Sequence, residues 1–115
     1  MILHNIEMYG FNGCPQCENL LSTFKNLKTS SDVINKLTNT SHNKDYVSIT
    51  YYDIRSTLKT EAIEKDLIER LKRQNEPYDS MYPFIFINNE YIGKRAQVLT
   101  YLLKLEIKKV ELYNI

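Results

Sequence analysis

The sequence has little of several features that would define its class at once. Its 115 residues include no tryptophan, three glycines, three prolines and two cysteines. An excess of one charge is also missing, because 15 basic and 14 acidic side chains leave a formal net charge of +1. That balance gives no electrostatic reason to expect nucleic acid or an anionic membrane as a partner. No stretch approaches the roughly 20 apolar residues that are needed to span a bilayer.

The start of the chain and the cysteine count bear on the compartment. Residues 1–10 lack the basic start and long apolar run of a signal peptide, so we expect a cytoplasmic protein. Two cysteines three apart cannot staple a secreted mini-protein, because the loop that they close is very short. In the cytoplasm such a pair is usually catalytic or metal-binding. Zinc is the weaker alternative, since it needs about four ligands and only His4 and His42 remain, at unrelated spacing.

The first half of the chain predicts a strand followed by a helix, within a single domain over residues 1–115. Residues 2–11 carry β-forming side chains and end at the turn signal Asn12-Gly13, which predicts a first strand. Apolar residues at helical spacing then predict a helix over residues 15–28, with Pro15 at its first position.

Residues 29–45 are rich in Ser, Thr, Asn and Lys, and we interpret them as an insertion. Two structures are compatible with this segment: Ser31 caps a short second helix, or the first helix simply continues. Residues 39–44 are polar enough for a solvated loop.

The second half predicts two further strands in a hairpin, preceded by a strand and a helix and followed by a helix. The predicted elements are a strand over 47–53, a helix over 60–74, strands over 83–88 and 90–93, and a helix whose apolar positions run from Ala96 through Leu99, Leu103 and Ile107 to Val110. A strand–helix–strand start requires a parallel pair, and the short Asn88-Asn89 turn requires an antiparallel one. The expected fold is an α/β protein with a four-stranded mixed sheet and helices on both faces.

The chemistry of the chain is predicted at Cys14-Pro15-Gln16-Cys17, where a strand ends and a helix begins. If Cys14 is the N-cap, its sulfur faces unpaired N–H groups and the positive end of the helix dipole. Both favour the thiolate, which is the nucleophilic form. Cys17 lies one turn on, within reach of an intramolecular disulfide. The pattern therefore predicts a redox-active pair, with Cys14 as the attacking thiol and Cys17 as the resolving thiol.

Over about residues 4–105 the chain resembles the glutaredoxins, and more broadly the thioredoxin-fold redoxins. The resemblance rests on the C-P-Q-C sequence after the first strand, on Asp53 at the end of the second, and on residues 81–93, which read MYPFIFINNEYIG. Glutaredoxins typically read T-V-P-x-x-F-I-N-G-x-x-I-G-G there. The resemblance implies a thioredoxin-like, glutaredoxin-type fold and a thiol–disulfide oxidoreductase that reduces protein or glutathione mixed disulfides by a dithiol mechanism.

The resemblance also implies a substrate site beside the cysteines. Pro83 would follow a cis peptide bond and leave the backbone of Tyr82 free to pair with substrate; the alternative is that Pro83 merely begins an edge strand. Gly93 and Lys94 are further substrate-binding candidates. The implied partners are a disulfide-containing protein, glutathione as a co-substrate, or both, with a monomeric chain, no metal and no tightly bound cofactor.

Three residue choices depart from the family pattern. The lysine that usually precedes the first cysteine is missing, because Phe11, Asn12 and Gly13 stand there. Lys94-Arg95-Ala96-Gln97 replaces the family's second glycine and the residues that hold glutathione. Glu18 places a carboxylate near the sulfurs, so we expect the pKa of Cys14 to lie below that of a free cysteine but above those of the most acidic redoxin thiols.

Two other functions remain open, and the departures favour the first of them. The first is a dedicated relay that passes disulfides between specific proteins and has little general activity with glutathione. The second is an iron–sulfur carrier, in which Cys14 and glutathione hold a cluster across a dimer.

Overall fold

The computed structural model describes residues 1–37, 43–55 and 60–114. Along them lie β1 (Ile2–Gly10), α1 (Pro15–Leu37), β2 (Asp45–Asp53), α2 (Thr60–Arg73), β3 (Phe84–Ile87), β4 (Glu90–Gly93), α3 (Arg95–Leu103) and β5 (Ile107–Asn114). The strands form one mixed sheet in the order β4-β3-β1-β2-β5. β1, β2 and β5 run parallel, whereas β3 is antiparallel to β1 and β4 to β3. The predicted α/β class and mixed sheet are confirmed, and the β-α-β-α-β order is reminiscent of thioredoxin-like proteins.

The end of the chain differs from the prediction of a four-stranded sheet with a long final helix. α3 ends at Leu103, and Ile107 begins a fifth strand instead of another helical turn. Ile107 and Val110 are β-branched residues, which suit a strand, and the second edge of β2 supplies backbone partners. Asp45 holds the chain there, because its carboxylate accepts the N–H of Glu106 at 2.7 Å and its own N–H donates to the Glu106 carbonyl at 3.0 Å.

The first helix continues through most of the segment that we interpreted as an insertion. α1 is a single helix of 23 residues, so the second of the two alternatives is confirmed. Ser31 caps no new helix, since its hydroxyl donates to the carbonyl of Lys28 at 3.1 Å within α1. Most of the predicted loop over 39–44 lies outside the described residues. No helix among the described residues is long and apolar enough to cross a membrane.

Alternation along the strands divides the core into two layers. On one face of the sheet, α1 and α3 cover Ile6, Met8 and their neighbours. On the other face, α2 packs through Leu67 and Leu71 against a second cluster that includes Tyr9. Helices therefore lie on both faces, as predicted. Gly10 belongs to the face of Ile6 and Met8, so the end of β1 presents that face to the start of α1.

A buried polar network holds the opposite end of β1. His4 is 7% exposed, and its Nε2 lies 2.8 Å from a carboxylate oxygen of Asp45. Its Nδ1 lies 2.6 Å from the Tyr101 hydroxyl. The hydrogen bond from His4 lowers the pKa of Asp45; burial raises it, but the N–H of Glu106 adds to the lowering. The network thus ties β1, β2 and the start of β5 together.

Candidate active site at the start of α1

The two cysteines form a disulfide across the first turn of α1. Their Cα atoms are 5.2 Å apart. α1 begins at Pro15, so Cys14 is the residue that caps it, as predicted. The Cys17 N–H points at the Cys14 sulfur at 3.2 Å, and the Glu18 N–H donates to the Cys14 carbonyl at 2.9 Å. The capping sulfur therefore lies where unpaired amide groups and the helix dipole favour negative charge.

The two cysteines differ in exposure. Cys14 is 7% exposed, whereas Cys17 is completely buried. In the disulfide, Cys14 is therefore the residue of the pair that has solvent-exposed surface.

The absence of a side chain at Gly10 leaves space for the Cys17 sulfur. A Cβ at Gly10 would lie 2.9 Å from the Cys17 sulfur and 3.2 Å from a ring carbon of Tyr51. Both distances are shorter than ordinary van der Waals contact, so no side chain fits at this position of β1 without displacing a neighbour. Sequence analysis missed this residue. The chain has only three glycines, and a glycine within a strand is a signal that another group approaches the backbone closely.

The chain between α2 and β3 brings Tyr82 and Pro83 to the outer sulfur. The Tyr82–Pro83 peptide bond is cis, as predicted. The carbonyl oxygen of Tyr82 lies 3.8 Å from the Cys14 sulfur. Pro83 is buried and Tyr82 half-buried. The structure thus brings together four of the candidate residues, Cys14, Cys17, Tyr82 and Pro83.

A cavity of about 510 Å³ adjoins this backbone. It is lined by Gln16, Asp79, Met81, Tyr82, Pro83, Lys94, Arg95 and Ala96. Residues from α1, from the loop before β3 and from the start of α3 therefore meet next to the Tyr82–Pro83 backbone. Cys14 does not itself line the cavity but lies against the Tyr82 carbonyl that borders it. A cavity of this size can hold part of a small ligand.

Lys94 lines this cavity but already has partners. Its ammonium lies 3.2 Å from the Asp79 carboxylate, contacts the Met81 carbonyl, and sits 3.3 Å from the centre of the Phe84 ring. Burial lowers the pKa of Lys94, and the Asp79 carboxylate offsets part of that effect. Neighbouring Arg95 donates to the Asn19 side chain at 2.7 Å. Sequence analysis missed Asp79, because nothing local indicates a partner 15 residues away.

Gly93 lies against the first turn of α3. Its φ is +135°, and a Cβ there would lie 2.9 Å from the Gln97 side chain. The side-chain oxygen Oε1 of Gln97 accepts the Lys94 N–H at 2.9 Å and so closes the start of α3. In this position Gly93 allows β4 to turn directly into the helix that Lys94 caps.

Charged and aromatic groups complete the surroundings of the disulfide. The Glu18 carboxylate accepts the Gly13 N–H at 3.0 Å at the start of α1. Phe11 packs edge-to-face on Tyr82, and the Arg55 guanidinium stacks 3.8 Å from the centre of the Phe11 ring. Tyr9 lies instead on the α2 face, where its hydroxyl donates to Asp66 at 2.8 Å. Sequence analysis missed Arg55, because its contact with Phe11 is set by the tertiary fold.

Among the described residues, no group of three or more His, Cys, Asp and Glu side chains could hold a metal ion. His4 is engaged with Asp45 and Tyr101, and His42 lies outside the described residues. The site therefore consists of a disulfide at a helix start, with one slightly exposed cysteine, one buried cysteine and a cavity next to the Tyr82–Pro83 backbone.

Comparison with protein-family models, with curated proteins and with solved structures gave no significant match.

Proposed function

We propose that this protein is a thiol–disulfide oxidoreductase with a thioredoxin-like, glutaredoxin-type fold. The observation that carries the proposal is the Cys14–Cys17 disulfide at the start of α1, with 7% exposure at the outer residue and none at the inner one. A C-x-x-C disulfide at a helix N-terminus suits redox exchange, because the helix start stabilises the thiolate that exchange requires.

The reaction uses the two sulfurs in turn. The Cys14 thiolate attacks one sulfur of a substrate disulfide, a mixed disulfide forms, and the other substrate sulfur leaves as a thiolate that takes up a proton. Cys17 then loses its proton and attacks the Cys14 sulfur, and the second substrate thiolate leaves. The substrate gains two electrons and the protein keeps the Cys14–Cys17 disulfide. Two glutathione molecules or one dithiol reductase reduce the protein again and become oxidised themselves.

The substrate binds, in this proposal, at the cavity beside Tyr82 and Pro83. The Tyr82 backbone lies next to the Cys14 sulfur, where an extended peptide can pair with it in the manner of an added strand. A disulfide-bearing protein segment, glutathione, or both are the proposed partners, in the cytoplasm.

A Cys17→Ser variant tests the proposal, with Cys14→Ser as the matched control. Without the resolving thiol, reduced Cys14 should hold its partner covalently, and intact-mass measurement should show one adduct after incubation with a peptide–glutathione mixed disulfide. Dithiothreitol should release the adduct, and Cys14→Ser should form none. Equal adduct yields from the two variants, or no adduct from either, would contradict the assignment of the two sulfurs.

One observation favours a second candidate function, a dedicated relay between specific proteins. One of the two cations that line the cavity, Lys94, is paired with Asp79 and stacked on Phe84, and no lysine precedes Cys14. Fewer cations are then available for the carboxylates of glutathione than in the glutaredoxin pattern. Poor turnover in a glutathione-coupled assay, together with a protein adduct of Cys17→Ser, would favour the relay.

A further inference from the structure

The hydroxyl of Tyr51 is a buried donor without an acceptor among the described residues. Tyr51 is 5% exposed and lies on β2, in the same buried cluster as Cys14 and Cys17. Buried polar groups are nearly always hydrogen-bonded, and a group left unpaired is destabilising. A second state of the protein, in which the hydroxyl has an acceptor, would explain why this donor is buried.

The ring that carries this hydroxyl lies beside the inner sulfur. A Cβ built on Gly10 would be 3.2 Å from Cε2 of Tyr51 and 2.9 Å from Sγ of Cys17. The ring and the sulfur thus lie against the same point of β1. Only the missing side chain of Gly10 leaves room for both groups at this point.

The charges around Tyr51 keep the hydroxyl protonated. Burial, followed by the carboxylates of Asp53 and Glu18, raises the pKa of Tyr51 to about 12. Asp53 is 6% exposed and is paired in register with Gly10, so its side chain emerges on the same face of the sheet. At neutral pH Tyr51 can therefore act as a hydrogen-bond donor but not as a base.

We infer that Tyr51 donates a hydrogen bond to the Cys17 sulfur when the disulfide is reduced, an inference that rests on the proposed function. In the disulfide the Cys17 sulfur is uncharged and tied to Cys14, and it accepts no bond from the hydroxyl. Reduction frees the Cys17 side chain to rotate, and as the S–S bond breaks its sulfur carries the negative charge until it takes up a proton. Hydrogen bonds to charged acceptors are the stronger kind, so the bond forms when the charge appears, and the thiol sulfur then remains a weaker acceptor in the reduced protein.

The step balances with a dithiol as reductant. One thiolate of the dithiol attacks Sγ of Cys14, the Cys14–Cys17 bond breaks, and its electron pair stays on Cys17 as a thiolate that Tyr51 stabilises. The second sulfur of the dithiol, after losing its proton, attacks the mixed disulfide and displaces Cys14 as a thiolate. The dithiol becomes a disulfide, and its two protons pass to the two cysteines. Because Tyr51 stabilises only the reduced protein, it makes the reduction potential less negative.

Tyr51→Phe tests the inference, because it removes the hydroxyl and keeps the ring. The variant is equilibrated with reduced and oxidised dithiothreitol. Its equilibrium constant for reduction should be about tenfold lower than that of the wild type, which corresponds to a reduction potential about 30 mV more negative. Tyr9→Phe is the matched control, since Tyr9 is 1% exposed but its hydroxyl contacts Asp66 and Arg70 on the α2 face. That variant should lose stability and keep the wild-type potential.

A measurement on the wild-type protein covers the case in which Tyr51→Phe does not fold. The hydroxyl proton of Tyr51, observed by NMR, should move downfield when the protein is reduced, because it gains an acceptor. The same chemical shift in both states would overturn the inference, as would an unchanged potential in Tyr51→Phe or an equal shift of the potential in Tyr9→Phe. If the wild-type disulfide is not reversibly reduced at all, the proposed function fails and this inference fails with it.

Discussion

A methyl group at Gly10 should destabilise the oxidised protein more than the reduced one. In Gly10→Ala the new Cβ would lie 2.9 Å from Sγ and 3.2 Å from Cβ of Cys17, against the 3.5–4.0 Å that is typical of favourable contacts. Overpacking of this kind costs about 1–3 kcal/mol. In the disulfide the sulfur cannot move, whereas in the dithiol it can rotate away. We therefore expect most of the loss in the oxidised protein.

The assay is urea unfolding of the oxidised and the reduced protein, followed by circular dichroism. Gly13→Ala is the matched control, because a Cβ there meets nothing within 4 Å and only its φ of +92° is unfavourable, by about 1–2 kcal/mol. That loss should be equal in the two redox states. A Gly10→Ala protein as stable as the wild type, or destabilised equally in both states, would refute the close packing of Cys17 against β1.

Two further substitutions test polar contacts, one at the end of β1 that lies away from the site and one beside the cavity. Asp45→Asn should lower the free energy of unfolding by about 1–3 kcal/mol near neutral pH, because it weakens the contacts with His4 and Glu106. Folding lowers the pKa of Asp45, so its stabilising effect is complete at a pH above its pKa in the unfolded chain and is lost as the pH falls through its pKa in the folded protein. The free energies of unfolding of wild type and Asp45→Asn should therefore become equal in acid. A difference in free energy that does not change with pH would contradict this. Asp79→Asn should release Lys94 and raise kcat/KM for a glutathione mixed disulfide by about fivefold, the effect of about 1 kcal/mol. Lys94→Met should give no such gain, and equal rates for both variants and the wild type would contradict a blocking role of the pair.

Local signals were sufficient for the part of the site that lies in consecutive residues. The turn at Asn12-Gly13, proline at the first helical position and a cysteine before it predict the helix start at which the disulfide is found. The helix start depends on residues that are neighbours along the chain. The cis bond before Pro83 is also present, but it was the resemblance to glutaredoxins that implied it.

The features that the sequence did not predict depend on contacts between residues far apart in the chain. Ile107 and Val110 fit both the apolar spacing of a helix and the composition of a strand, and the open edge of β2 together with Asp45 selected the strand. Likewise, the pairing of Lys94 with Asp79 depends on a loop that folds back over the start of α3. No periodicity within one segment reports such contacts.

The most direct test of the central claim is the ionisation of Cys14 in the Cys17→Ser protein. Its rate of alkylation, measured against pH, gives the pKa of the single remaining thiol. The capping position at α1, with the Cys17 backbone N–H retained in serine, predicts a pKa below that of a free cysteine. A pKa at or above the free value would contradict the account, because the helix start would then provide no stabilisation of the nucleophile.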